Sequence, residues 1–376
     1  MPILESLIVQ SEGRPIGGAL VIWWDQGGKS DARTTDGGGF CNFGHLESGG
    51  ITMTVQAPGF KDANFYKTDD APLIYVNLEP SAVPFEDDAS RPLHIEGRNF
   101  VTDHGQMWQY RGVSEFDLFP RFVQGGQLFC DPVVDDCLSI FGKGIVFRTF
   151  RYAGNNNPFA LPPDWSPRRL DQAVECCRYL KEKGARVDFT AGDAQQVLPK
   201  ESDQQAEVNA FYEAIESEVN AFFQTCNEPG KNGVNTARVK PPTGRVLRSS
   251  GNYDANWGDA SYGGTMLDFL DIHSSRDGLG TPYPKGVWDP LAQIWAEFFD
   301  RPIVNGEPFG ANEVLEPGRR SNIPYDFYRL AHDRAQYGIG VTFHSTPGTK
   351  WELFGPIVRQ SGHEFARGIT NARAGR

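Results

Sequence analysis

Two stretches decide how this chain folds: AFFQTCNEPGKNG, residues 221–233, and RPIVNGEPFG, residues 301–310. Each opens on a short apolar run suited to a buried strand and then breaks at polar, Gly and Pro residues. Reading outward, runs of the same kind fall at Tyr110–Val113, Ile145–Phe150, Arg186–Phe189, Ala221–Thr225, Arg245–Leu247, Phe269–Ile272, Ile303–Val304 and Ile339–Phe343. Their spacing, roughly 20–40 residues, leaves room for the helical crossover that parallel strands need. Amphipathic stretches fill several gaps. In 167–183, Leu170, Ala173, Val174, Cys177 and Leu180 share one face, with Pro167 at the start and Gly184 past the end. Val208, Phe211, Ile215 and Val219 form a stripe in 204–219, Leu291, Ile294, Trp295 and Phe298 another in 290–299, and 324–336 again opens on proline. Eight such units predict an α/β fold, a closed (β/α)₈ TIM barrel, over residues 96–376. An open doubly wound sheet is the alternative, but no G-x-G-x-x-G follows the first strand of this region.

Upstream the pattern changes. Residues 1–80 read as a small all-β sandwich, with short runs at Leu7–Val9, Ala19–Trp24, Ile51–Val55 and Ile74–Leu78 separated by turn signals such as Asp36-Gly37 and Pro58-Gly59. The order GRPIGGALVIWW, TTDGGGFCNF, ITMTVQAPGF, PLIYVNLEP resembles the carboxypeptidase-regulatory-like β-sandwich (Ig-like) family. That resemblance implies a non-catalytic spacer or an attachment point to another protein or assembly. Residues 81–95, with their prolines and acidic run, are expected to be the linker.

Composition narrows the function. A net charge of −12 argues against nucleic acid and anionic membrane surfaces as partners. No stretch is long and apolar enough to span a bilayer, and the N-terminal residues show no signal-peptide pattern, so the compartment stays open between secreted, virion-associated and cytoplasmic. Six cysteines do not form a disulfide framework at this length. Cys130 and Cys137 bracket what reads as one loop, where a disulfide is one of two outcomes. The seven histidines are scattered, so no metal or other cofactor is expected and a metal-dependent hydrolase is disfavoured.

Catalytic groups of such barrels sit at the C-terminal ends of the strands. The fourth run ends on Asn227-Glu228-Pro229 and the seventh on Glu307, from opposite sides of the barrel. Two carboxyls facing one bond are what glycoside hydrolysis requires: one protonates the leaving oxygen, the other attacks the anomeric carbon or activates water. The Asn-Glu-Pro triplet and the Glu of VNGEP resemble the (β/α)₈ glycoside hydrolase clan with a strand-4 acid/base and a strand-7 nucleophile, most nearly its cellulase-like members. The resemblance implies that Glu228 is the acid/base, that Glu307 is the nucleophile of a retaining mechanism on β-linked glycans, and that Asn227 binds the 2-hydroxyl of the sugar. It likewise places Arg148, in IVFRTFR, near the nucleophile, His273, in DIHSSRD, at the end of strand 6, and Glu115 as a cleft residue. The bland readings are an outward salt bridge for Arg148 and a structural histidine for His273. Trp165 and Trp257 fall on loops of the same face, either as platforms for sugar rings or as loop packing.

The chain also departs from that clan. The eighth run ends GVTFHST, with Phe343 and His344 where many relatives carry a tryptophan floor, and Ser274 and Ser275 replace the tyrosine usual after the strand-6 histidine. His344 is therefore taken as a substrate-binding candidate. The expected partner is an oligo- or polysaccharide. The alternative is a non-enzymatic carbohydrate-binding or structural protein, of a virion or surface assembly, on a hydrolase-like barrel.

Overall fold

The computed structural model describes residues 3–374 except 12, 18, 26–29, 48–50, 58–62, 68–72, 79–86, 152–158, 160, 193–196, 231, 250–266, 274–300, 309, 312–323, 337 and 346–354. All eight strand runs of the barrel region form parallel strands: β1 (Arg111–Ser114), β2 (Val146–Phe150), β3 (Arg186–Gly192), β4 (Ala221–Cys226), β5 (Leu247–Ser249), β6 (Leu270–His273), β7 (Ile303–Glu307) and β8 (Gly340–Ser345). They pair in the order β5-β4-β3-β2-β1-β8-β7-β6. A parallel bridge between Ser249 and Phe269 joins the two ends, so the sheet closes into a barrel.

Six helices are described around it: α1 (Leu118–Gly125), α2 (Gln127–Phe141), α3 (Pro167–Glu182), α4 (Glu201–Ile215), α5 (Pro324–Gln336) and α6 (Pro356–Ala374). Ser166 caps α3, its hydroxyl accepting from the Arg169 amide, with Pro167 in the first turn. The helix stripes and the outward faces of the strands share one core, in which Phe119, Phe189 and Phe211 pack ring on ring. The helix expected over 290–299 lies outside the described residues.

Cys130 and Cys137 are free thiols, and the segment expected to be a loop is helix α2. Cys130, Val133, Val134, Cys137 and Phe141 fall at helical spacing and are buried. Gly125-Gly126 and the internal Pro132 disguise the helix as a turn region. Burial pushes the Cys130 thiol up to about 12, so it stays protonated and inert.

The N-terminal end of the barrel is plugged. A three-stranded antiparallel sheet (Leu93–Glu96, Asn99–Thr102, Met107–Trp108) sets Phe100 and Trp108 against Tyr110, Val146, Phe222, Phe269 and Val304. The Phe100 ring lies 5.4 Å from Phe269 and 5.8 Å from Phe222. The buried Arg186 fastens the chain entering this sheet, donating to the carbonyls of Asp88 at 3.0 Å and Arg91 at 2.7 Å. The first strand of the plug thus begins within the stretch read as linker.

Further upstream, two sheets enclose a separate core of Leu7, Val9, Val21, Trp23, Met53 and Val55 among others. One joins Ile3–Ser11 to Arg14–Pro15 and Phe40–Glu47 antiparallel and to Leu73–Asn77 in parallel. The other is antiparallel throughout, in the order Ser30–Thr34, Leu20–Asp25, Ile51–Gln56, Ala63–Lys67. The chain is a TIM barrel with a small β domain at its N-terminus.

Candidate active site

At the open, C-terminal end of the barrel, β2, β4, β6 and β7 aim polar side chains at the axis. Arg148 of β2 donates from Nη1 to Glu307 Oε1 at 2.6 Å, and from Nη2 to Asn227 Oδ1 at 2.7 Å and Gln224 Oε1 at 3.2 Å. His273 Nδ1 lies 3.4 Å from Glu228 Oε1 and 3.8 Å from Glu307 Oε1, while Nε2 lies 3.5 Å from Asp271 Oδ2. Arg148, Glu228, His273 and Glu307 are all buried. One ring nitrogen of His273 and one carboxylate oxygen each of Glu228 and Glu307 fall within 4.8 Å of one another.

Local backbone irregularities make this convergence happen. Between β6 and β7 the register shifts: Ile272 faces Asn305 but His273 faces Glu307, so Gly306 is an extra residue. A bulge of this kind re-aims the side chain that follows it. Only glycine fits, because a Cβ at 306 would meet Asp271 Oδ1 at 2.1 Å. Just after β4, Glu228 has φ of 45°, the left-handed region that a side chain disfavours. Backbone bonds hold it there, from Asn232 to the Glu228 carbonyl at 3.0 Å and from Val234 to the Pro229 carbonyl at 2.8 Å.

Burial pulls the His273 pKa down, but the charges of Glu307 and Asp271 and hydrogen bonds to Asp271 and Glu228 outweigh it and hold the imidazole at about 9. At neutral pH it is a cation among carboxylates. Burial likewise opposes the charge on Arg148, and Glu307 and Asp271 override it, raising its pKa. One tier below, Asp188 accepts from the Tyr110 hydroxyl at 2.9 Å. Burial, and then the charge of Asp271, push its pKa up to about 7.

Asn227, Glu228, Arg148, His273 and Glu307 therefore meet in one cluster. His344 sits beside it, with Nδ1 2.9 Å from Ser114 Oγ and its ring 5.7 Å from that of Phe116. Trp165 is half-buried and packs against the helix-side core. Trp257 lies outside the described residues. Glu115 is buried, its amide bonded to the Arg148 carbonyl at 2.9 Å.

Several members of the cluster were not picked out from the sequence. Gln224 and Asp271 are buried polar residues inside apolar strand runs, and that interruption was the available signal. Phe116 and Phe150 stack 4.0 Å apart beneath the Arg148 guanidinium, 5.2 Å and 5.3 Å from their ring centres. Among the described residues, Glu228, His273 and Glu307 are the group with the reach to hold a cation. Glu307 is already paired with the Arg148 guanidinium at 2.6 Å, so we do not assign the three as metal ligands.

No family model matches the sequence, and no curated protein matches it. Solved structures with the same fold do. A glycoside hydrolase family 5 mannosidase from Rhizomucor miehei is 12% identical, with a TM-score of 0.51, over 77% of this chain and 100% of that one. A β-glucanase from Saccharophagus degradans, solved with cellotetraose, is 12% identical at a TM-score of 0.51, over 78% and 98%. The catalytic domain of a mannanase from Streptomyces sp. SirexAA-E is 14% identical at 0.51, over 78% and 95%. These neighbours are glycoside hydrolases; at such identities the likeness shows the shared barrel.

Proposed function

We propose that this chain hydrolyses β-glycosidic bonds of an oligo- or polysaccharide by a retaining double displacement. One observation carries the reading: Glu228 and Glu307, from strands on opposite sides of the barrel, each bring one carboxylate oxygen within 4.8 Å of the other's. Retaining enzymes hold their carboxyls about 5–5.5 Å apart, whereas inverting ones leave room for a water at about 6.5–9.5 Å. Glu307 is the nucleophile, because Arg148 grips it and favours the ionised form. Glu228 is the acid that protonates the leaving oxygen. Once Glu307 is consumed as a glycosyl ester its charge is gone, and Glu228 serves as base toward water. Asn227, fixed by Arg148, is placed to meet the 2-hydroxyl of the sugar, and His344 lines the same end of the barrel. The sandwich of residues 1–80, joined by 81–95 to 96–376, supplies no carboxylate and acts as a spacer or attachment module.

A binding protein on the same barrel is the second reading. It is favoured by β8, where Phe343 is buried in the core and His344 is tied to Ser114, so that strand offers no exposed aromatic floor. A panel of chromogenic β-glycosides and polysaccharides, run with wild type and Glu307→Gln, separates the two. Hydrolysis by wild type alone supports the enzyme. Tight binding of one glycan with no turnover supports the other.

A further inference from the structure

We propose that Asp271, which the glycosidase mechanism does not use, is the positioning residue of the site, holding both the nucleophile's clamp and the histidine between the glutamates. The proposal rests on the glycosidase reading of Glu228 and Glu307. Asp271 lies two residues before His273 on β6 and is buried. Its Oδ2 accepts from Gln224 Nε2 at 2.7 Å and faces His273 Nε2 at 3.5 Å. Gln224 in turn accepts at Oε1 from Arg148 at 3.2 Å and from the Thr190 hydroxyl at 2.7 Å. A single carboxylate oxygen therefore serves two arms. One runs directly to His273 and through it to Glu228 and Glu307. The other runs through Gln224 to Arg148 and so to Glu307.

The polarity of the bonds at Gln224 is fixed by this arrangement. A carboxylate only accepts, so the Gln224 amide must point its NH₂ at Asp271, which leaves its oxygen for Arg148 and Thr190. His273 Nε2 faces the Asp271 carboxylate at 3.5 Å with the Arg148 Nη2 donor beside it at 3.3 Å, and Nδ1 is the atom that addresses the two glutamates. With an anion behind it the imidazole holds a second proton, which makes Nδ1 a donor toward Glu228 and Glu307. The charged and titratable groups around His273 are Glu228 after β4, Glu307 on β7, Asp271 on its own strand, Arg148 on β2 at 3.3 Å and Asp188 on β3. Three of these carboxylates face the ring, Glu228 and Glu307 at Nδ1 and Asp271 at Nε2. The bulge at Gly306 completes the case: Asp271 Oδ1 fills the space of the missing Cβ, so the backbone that delivers Glu307 is shaped around this carboxyl.

The test is Asp271→Asn in the full chain, which keeps shape and removes the charge. Titration of His273 by NMR with labelled histidine should show its midpoint falling by about one unit or more. The alkaline limb of kcat/KM should also move, because His273 faces Glu228, with kcat reduced roughly 10–100-fold and KM little changed. An unchanged His273 titration and pH profile, with only a lower Tm, would overturn the proposal in favour of a structural role. If wild type is inert on every glycan the glycosidase reading fails, and the His273 titration alone then decides whether Asp271 orients it. Should Asp271→Asn not fold, Gln224→Met cuts one arm: kcat should fall at least tenfold while the His273 midpoint holds, and a wild-type kcat would overturn the two-armed account.

Discussion

Arg148 and Glu307, on strands β2 and β7 and 159 residues apart in sequence, meet at 2.6 Å with side chains 0% and 3% exposed. A pair this buried is sustained only if its remaining donors are also satisfied. Arg148 meets that condition at Nη2, through Asn227 and Gln224, while its buried Nε has no hydrogen-bond partner among the described residues. We therefore expect Arg148→Ala to lose about 3–5 kcal/mol of stability, because the buried carboxylate loses the guanidinium that donates to it. Arg148→Lys should fold but stay well below wild-type turnover, since one ammonium cannot serve three acceptors in a fixed fork. Thermal unfolding and aryl-glycoside kinetics on both variants check this; a Lys variant as active as wild type would show that the geometry of the clamp is irrelevant.

Glu228→Gln should separate substrates by leaving group. On an activated aryl glycoside, which needs little protonation, the loss should be mild. On an unactivated oligosaccharide it should reach roughly 10²–10⁴-fold, the worth of a general acid. Equal losses on both would remove Glu228 from the acid role.

His273 sets a pH dependence of stability. Its folded value of about 9 lies above the ordinary 6.5. The protonated ring thus favours the fold: the contribution is complete below about 6.5 and is lost as pH rises through about 9. Thermal midpoints measured from pH 6 to 10 should fall more steeply for wild type than for His273→Gln. Parallel curves would mean that the ring is not the responsible group.

Away from the site, Arg151 and Glu207 form a second buried pair, 2.5 Å apart with neither side chain exposed. Arg151→Met alone should cost about 3–5 kcal/mol, and the double variant Arg151→Met, Glu207→Leu should recover much of it. Denaturant unfolding of the three proteins checks the coupling; strict additivity would show that the pair is not an interacting unit.

The barrel was legible because its strands carry short apolar runs that pack against the helices outside, at a spacing that leaves room for a helix between them. The two glutamates were legible because they end such runs. Helix α2 was not, since Pro132 and the adjacent glycines imitate a turn while the stripe of Cys130, Val133, Val134 and Cys137 depends on counting cysteine as apolar. In the N-terminal domain, Ser30–Thr34 and Ala63–Lys67 were missed because these strands carry many polar residues and pair along the second sheet, which supplies register that the sequence alone does not. Asp271 and Gln224 were hidden for the opposite reason: each is one polar residue in an apolar run, and its meaning comes from a partner on another strand.

The central claim is that Glu307 forms a covalent bond to the sugar. Incubating the protein with an activated 2-deoxy-2-fluoro-β-glycoside of a sugar that it cleaves, then measuring intact mass and mapping peptides, tests this directly. The account predicts a single glycosyl adduct on Glu307, absent from Glu307→Gln. An adduct on another residue, or steady hydrolysis with inverted anomeric configuration and no adduct, would contradict it.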